Sequence, residues 1–278
     1  MKSHLTCCFS GCNFLFQSAI KVYVIFVLAL SALSLTGCGS EEEELLPDNL
    51  SLSSYISQLN LPVQRDSLIA CAASGQFGIL QDDMEQPVSI LYLPLENIRD
   101  LRYFEATSLP DDFEDFSAYR GMPLTNSPLL DGVLRKLNRP ATSQEAAGFV
   151  TFIRNNKLFI SNRIHIKDSF QPTVFLNNEI TINQNVSLMP EFSWQDLSGE
   201  MDAIYFHVMS DENDVQISGT YTFETNFQFY NLDNVVLNIT DPTSNPMLIN
   251  NRDYILSIMA VSIDNWVNFL ATREFSAE

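Results

Sequence analysis

Between Phe192 and Phe275 the chain repeats one kind of unit six times: a short apolar or β-branched run closed by Asn, Asp, Gly or Pro. The runs are Phe192–Gln195, Ala203–Ser210, Gly219–Phe223, Val235–Thr240, Arg252–Ser262 and Trp266–Phe275. Runs of this length with turn residues between them suit an antiparallel sandwich. No stretch alternates a strand with a long helix, so a parallel α/β core is disfavoured. The first half carries similar runs at Ser67–Ala73, Val88–Leu93 and Leu101–Ala106. Phe149–Arg154 and Lys157–Lys167 flank Asn155-Asn156, and two asparagines tolerate the positive φ of a type I′ hairpin turn. One stretch disagrees. Ser127-Pro128, followed by Leu129, Leu130, Val133, Leu134 and Leu137, offers a cap, an N1 proline and helical spacing. Gly132 weakens that helix, and a strand starting at Val133 is the alternative. The expected fold class is all-β: a tandem antiparallel β-sandwich, divided near Gln171-Pro172-Thr173 into a β-rich domain over 63–170 and a sandwich over 171–278.

The chain begins differently. Lys21 supplies positive charge, and Val22 to Leu35 form an uncharged apolar run of 14 residues. That length suits a signal h-region and falls short of the ~20 residues that span a bilayer. The run ends in Leu35-Thr36-Gly37-Cys38, which resembles the lipobox of bacterial lipoproteins. The resemblance implies that residues 1–37 are a signal peptide. It also implies that Cys38 becomes a lipidated N-terminus, bound to the membrane through its acyl chains. The alternatives are a plain signal peptide or a short anchor helix. Gly39, in place of the Asp that resembles an inner-membrane retention signal, favours the outer membrane. Glu41–Glu44 is similar to acidic signals that send some lipoproteins to the cell exterior; the alternative is a solvated acidic tether. Residues 38–62 as a whole read as such a tether, with a short helical turn over Leu52–Leu59. After cleavage only Cys38 and Cys71 remain, so no intrachain disulfide is expected.

The formal net charge is −19, and the first 37 residues hold two lysines and no acid, leaving −21 on the rest. Such a balance argues against nucleic acid as a partner and against charge-driven docking on anionic lipid. With 46% hydrophobic and 11% aromatic residues the chain has material for a packed core, and wholesale disorder is excluded.

Residues from about 172 onward look like a fibronectin type III domain. Pro190-Glu191-Phe192-Ser193-Trp194 resembles the early strand whose Trp fills the core, and Leu248 and Ala260 each lie six positions from Tyr254. Tyr254, Leu256, Ile258 and Ala260 share one strand face at period 2. The resemblance implies a tyrosine corner, the Tyr254 hydroxyl bonding back to the preceding loop. The family's Pro-Gly turn is replaced here by Asn250-Asn251-Arg252-Asp253.

Little points to catalysis. His165, between Ile164 and Ile166, is expected to face solvent; His207, in a strand pattern, is an edge or core residue. Cys71 reads as a small buried hydrophobe. No HExxH, paired-Cys, GxSxG, Walker or GxGxxG pattern occurs. Asp111-Asp112-Phe113-Glu114-Asp115-Phe116 is an acidic loop, and Asp211, Asn213 and Asp214 are weak calcium candidates, neither with EF-hand spacing. No cofactor and no enzymatic activity are expected. Trp266, following Asp264-Asn265 where a sandwich turns, is a candidate sugar-stacking platform; the alternative is a filled corner. Asp66-Ser67-Leu68 resembles a bacterial O-glycosylation acceptor. The expected function is a surface-exposed, outer-membrane binding or spacer lipoprotein with a protein or glycan partner. The alternatives are a glycan-binding lipoprotein of a polysaccharide-uptake system and a small hydrolase with a carboxylate site.

Overall fold

The computed structural model describes residues 46–65, 70–75, 80, 88–129, 132, 134–141, 143–196, 202–213, 215–238 and 247–278. The lipobox, Cys38, Glu41–Glu44, Asp66-Ser67-Leu68 and Asp214 lie outside them.

Nineteen strands among the described residues make four sheets, and the sheets pair into two sandwiches. In the N-terminal sandwich one sheet runs β2(Ala70–Ser74)-β3(Val88–Tyr92)-β7(Leu134–Arg139)-β6(Thr125–Leu129). Facing it are β1(Val63–Arg65)-β9(Lys157–Ile160)-β8(Ala146–Arg154)-β4(Arg99–Ala106)-β5(Arg120–Met122), with β10(Ile164–Ile166) continuing along β8. With the short strands β1, β5 and β10 set aside, β2, β3, β7 and β6 are the first, second, fifth and fourth strands and β4, β8 and β9 the third, sixth and seventh, which is the immunoglobulin-type order. The two sheets thus face each other as a sandwich. Val88, Ile90, Tyr92, Tyr103, Val150 and Phe152 fill the space between its sheets. One fully buried ion pair sits there as well. Arg139 donates to both Glu105 oxygens at 2.6 and 2.8 Å, and the Tyr103 hydroxyl donates to Glu105 Oε2 at 2.8 Å.

Asn155 (φ 49°) and Asn156 (φ 57°) make the β8–β9 turn in the conformation expected of them. The helical spacing after Ser127 serves two strands instead. Gly132, at φ 87°, turns the chain between β6 and β7, a conformation that glycine adopts without strain. Pro128 is tolerated because β6 is an edge strand. Leu130 and Val133 lie outside the described residues.

The expected tether is a second correction. Residues 46–62 are docked on the sandwich. Ser51 caps α1(Leu52–Leu59), its Oγ accepting the Ser54 N–H at 3.1 Å, and Asn60 closes the helix at φ 49°. Leu52 and Tyr55, on one helix face, are fully buried against Phe104, Phe149 and Ile160 on the outer face of the β9-β8-β4 sheet and against Tyr119 just before β5. Arg102 holds the entering segment by donating to the carbonyls of Leu46 (2.7 Å) and Pro47 (3.0 Å). Gly121 lets it pass, since a Cβ there would lie 1.8 Å from the Asp48 carbonyl oxygen.

The C-terminal sandwich packs the sheet β12(Thr181–Asn183)-β13(Glu191–Ser193)-β16(Asn226–Gln228) onto β11(Val174–Asn177)-β19(Val267–Ser276)-β18(Asp253–Ser262)-β14(Asp202–Asp211)-β15(Gln216–Thr222)-β17(Val235–Asn238). Trp194, Leu248, Leu256, Ile258 and Ala260 are all buried in its core. The Tyr254 hydroxyl accepts the Ile249 N–H at 2.9 Å, which is the tyrosine corner. The fold is a tandem, fibronectin type III-like β-sandwich.

Candidate functional site

The hairpin joining β18 to β19 does what no run of apolar residues announces: its tip leaves its own sandwich and enters the other. Ser262 N–H donates to the Trp266 carbonyl at 2.8 Å, the Ser262 hydroxyl donates to Asp264 Oδ1 at 2.6 Å, and Asn265 takes φ 63°. This short turn holds three consecutive side chains rigidly outward.

Each of the three has a partner on the N-terminal sandwich. Asp264 Oδ2 lies 2.7 Å from Lys167 Nζ and 3.0 Å from His165 Nδ1, and the His165 backbone N–H donates to the Asp264 carbonyl at 3.0 Å. Asn265 Nδ2 donates to the Arg163 carbonyl at 2.7 Å, while its own carbonyl accepts the Ala72 N–H at 2.9 Å. Trp266 is fully buried among Ala70, Ala72, Val88, Ile90 and Ile164, with Nε1 donating to the Gln171 carbonyl at 2.8 Å. Ser74 and Thr173 exchange reciprocal bonds of 2.9 Å, each backbone N–H to the other's hydroxyl, and Thr173 Oγ1 donates on to the Val267 carbonyl. Beside this polar seam Ala73, Leu91, Leu129 and Leu134 pack against Phe206, Tyr221, Met259 and Leu270 in one apolar cluster.

The arrangement corrects two expectations. Trp266 presents no ring face to a sugar, because it fills the corner between the sandwiches. His165 does not face open solvent: it is half-buried, with Glu145 Oε2 3.0 Å from Nε2 and Asp264 on Nδ1. The Asp264 carboxyl is opposed by partial burial, yet the hydrogen bonds from His165, Lys167 and Ser262 hold it well below the ordinary carboxylate range.

The remaining candidates are dispersed. His207 is a core residue, its Nε2 3.0 Å from Thr222 Oγ1, and burial pushes its pKa down to about 3, so the ring is neutral. Burial pushes the Cys71 thiol up to about 12, far from a nucleophilic thiolate. Asp211 spends Oδ1 on the N–H groups of Asn213 (2.9 Å) and Val215 (3.1 Å) and Oδ2 on Arg252 (2.7 Å). Its oxygens are thus spent on closing a turn and on the Arg252 guanidinium. In the acidic loop, Asp112 and Asp115 likewise accept N–H groups two residues on, and Glu114 pairs with Arg65. Among the described residues, clefts of about 360, 210 and 70 Å³ hold at most one carboxylate each: Glu179, Asp48 and none. A paired-carboxylate reaction finds no such pair in any of them.

No protein-family model and no curated protein matches the chain. Among solved structures it is similar to the titin domains A168–A170, at 7% identity and a TM-score of 0.26, over 78% of this chain and 61% of that one. It is also similar to the FN1–FN3 domains of chicken CNTN1, at 14% identity and a TM-score of 0.26, over 78% of this chain and 65% of that one. The chain thus spans less than two thirds of either fragment. Strand order and the tyrosine corner, not these superpositions, define the fold.

Proposed function

We propose that the chain is a lipid-anchored, outer-membrane lipoprotein displayed at the cell surface, whose two sandwiches act as one stiff binding or spacer module. The observation that carries the module reading is the buried hairpin tip. A flexible string of domains would keep Asp264, Asn265 and Trp266 in solvent, whereas here they are consumed in joining the sandwiches. A module of this kind transmits position and presents surfaces, and it needs no reacting groups.

The anchor reading is supported by Leu35-Thr36-Gly37-Cys38, and the outer-surface reading by Gly39 and Glu41–Glu44. Glycan capture at Trp266 is not part of the proposal.

Replacing Cys38 with Ala and fractionating the cells tests it. Release of the variant from the membrane, with acyl chains found by mass spectrometry on the wild-type Cys38 peptide, is the expected result. An unmodified N-terminal peptide on a membrane-bound protein contradicts the anchor. Neutral residues at 41–44 are expected to remove protease accessibility in intact cells.

A further inference from the structure

The cleft of about 360 Å³ lies where the chain changes sheets at the start of the C-terminal sandwich. Leu176 in β11 stands opposite Ala271 in β19, and Thr181 in β12 stands opposite Ser193 in β13, so one register pair from each sheet borders it. Glu179 belongs to the crossing between β11 and β12. Asn178 pins that crossing at φ 63°, its N–H donating to the Thr272 carbonyl at 3.0 Å and its Oδ1 accepting from Arg273 at 3.2 Å. Buried Phe269 and Ala271 and half-buried Leu176 supply apolar surface, while Glu179, Thr181, Ser193 and Gln195 are exposed.

Two observations set this cleft apart. Trp194 lines it and is only 7% exposed, yet its Nε1 has no acceptor among the described residues; Nε1 of Trp266, by contrast, has the Gln171 carbonyl. A buried indole N–H ordinarily finds a partner, so one without a partner calls for an explanation. The side chains of Glu179, Thr181, Ser193 and Gln195 likewise make no hydrogen bond or ion pair among the described residues. The turn acids behave otherwise: Asp112, Asp115 and Asp211 spend oxygens on neighbouring N–H groups.

Donor and acceptor chemistry selects the occupant. The Trp194 N–H only donates, so its partner must carry an acceptor, which an alkylammonium lacks. An ionised Glu179 only accepts, so the ligand must also donate. Residues 171–278 hold fifteen acids against two cations, and of these Arg252 is paired with Asp211 and Arg273 is bonded to Asn178, which disfavours an anion. A neutral hydroxyl both donates and accepts, and a sugar ring adds C–H faces for Leu176, Phe269 and Ala271. The volume falls within the range of small-ligand sites, about 300–1,000 Å³.

We propose that this cleft binds a neutral sugar residue, whose hydroxyls accept the Trp194 Nε1–H and donate to the Glu179 carboxylate, with Thr181, Ser193 and Gln195 completing the polar border. The inference rests on the binding-module reading and names its ligand class, using neither Trp266 nor the lipid anchor.

The test records saturation-transfer NMR on the full-length chain in a sugar-free detergent. The probes are the methyl glycosides of glucose, galactose, mannose and N-acetylglucosamine, beside glucuronate and tetramethylammonium. Saturable transfer to at least one glycoside, and none to the two ions, is expected. Trp194→Phe keeps a ring and removes the donor; Glu179→Ala removes the carboxylate. Each is expected to weaken binding at least about tenfold. Circular dichroism and melting temperature identify a variant that fails to fold, and Glu179→Ala, at an exposed position, keeps the test decisive. Absence of transfer to all four glycosides overturns the proposal, as does transfer that both variants leave unchanged. Preference for tetramethylammonium or for glucuronate overturns it as well, in favour of a cation or an anion. A single calorimetric transition in the same samples leaves the module reading standing whichever way sugar binding falls.

Discussion

Nε1 of Trp266 donates to the carbonyl of Gln171 at 2.8 Å, tying the chain's last hairpin to the segment that leaves the N-terminal sandwich. That bond, with the ring buried around it, turns two sandwiches into one body. Asp264 guards the same seam from its polar side.

Asp264→Asn keeps the shape and removes the charge that Lys167 and His165 share. It is expected to cost about 1.5–3 kcal/mol at neutral pH, the range for hydrogen bonds to charged groups. The folded-state pKa of Asp264 lies below its unfolded value near 4. Its contribution is therefore fully present above about pH 4 and is lost as the pH falls through the folded value. Urea titrations between about pH 5 and 2 are expected to show a steeper loss in wild type than in Asp264→Asn.

His207 acts over a higher window. Burial lowers its folded pKa to about 3 from an unfolded value near 6.5. The unfolded chain takes up the proton first, so stability is full above about pH 6.5 and falls between there and about pH 3. His207→Phe is expected to flatten that limb of the stability profile, measured by thermal melts at stepped pH.

Gly121→Ala places a Cβ against the Asp48 carbonyl, and backbone cannot give way as a side chain can. The segment over 46–62 is expected to lift from the sheet while the sandwich persists. Limited proteolysis checks this: new cleavage between Leu46 and Leu59 in the variant, with unchanged fragments from the rest of the chain.

Tyr254→Phe removes the corner hydroxyl and leaves the Ile249 N–H without its acceptor. The expected cost is about 1–3 kcal/mol, seen as a lower urea midpoint with an unchanged slope.

These sites differ in how far the sequence discloses them. The Tyr254 corner is legible because its residues lie on one strand at period 2, with Leu248 and Ala260 at fixed offsets. The β8–β9 turn is legible because Asn155 and Asn156 carry the signal themselves. Trp266 is not, since the surface that buries it, Ala72 and Ile164 included, comes from distant strands, and a hairpin tip reads alike whether it docks or faces water. His165 is misread for the same reason: alternation between Ile164 and Ile166 fixes its face, while Asp264 arrives from the other sandwich. The docked 46–62 segment resembles a tether because only Leu52 and Tyr55 are fully buried, too few to raise its apolar density. Leu129, Leu134 and Leu137 keep helical spacing, yet Gly132 folds them into two strands.

Differential scanning calorimetry of wild type and Trp266→Ala tests the central claim most directly. One cooperative transition is expected for wild type, because neither sandwich can lose its fold without opening the shared core. Trp266→Ala, deleting a fully buried ring at about 3–5 kcal/mol, is expected to lower that transition and split it in two. Two separate transitions in wild type, with Trp266→Ala leaving the C-terminal one unmoved, would contradict a single stiff module.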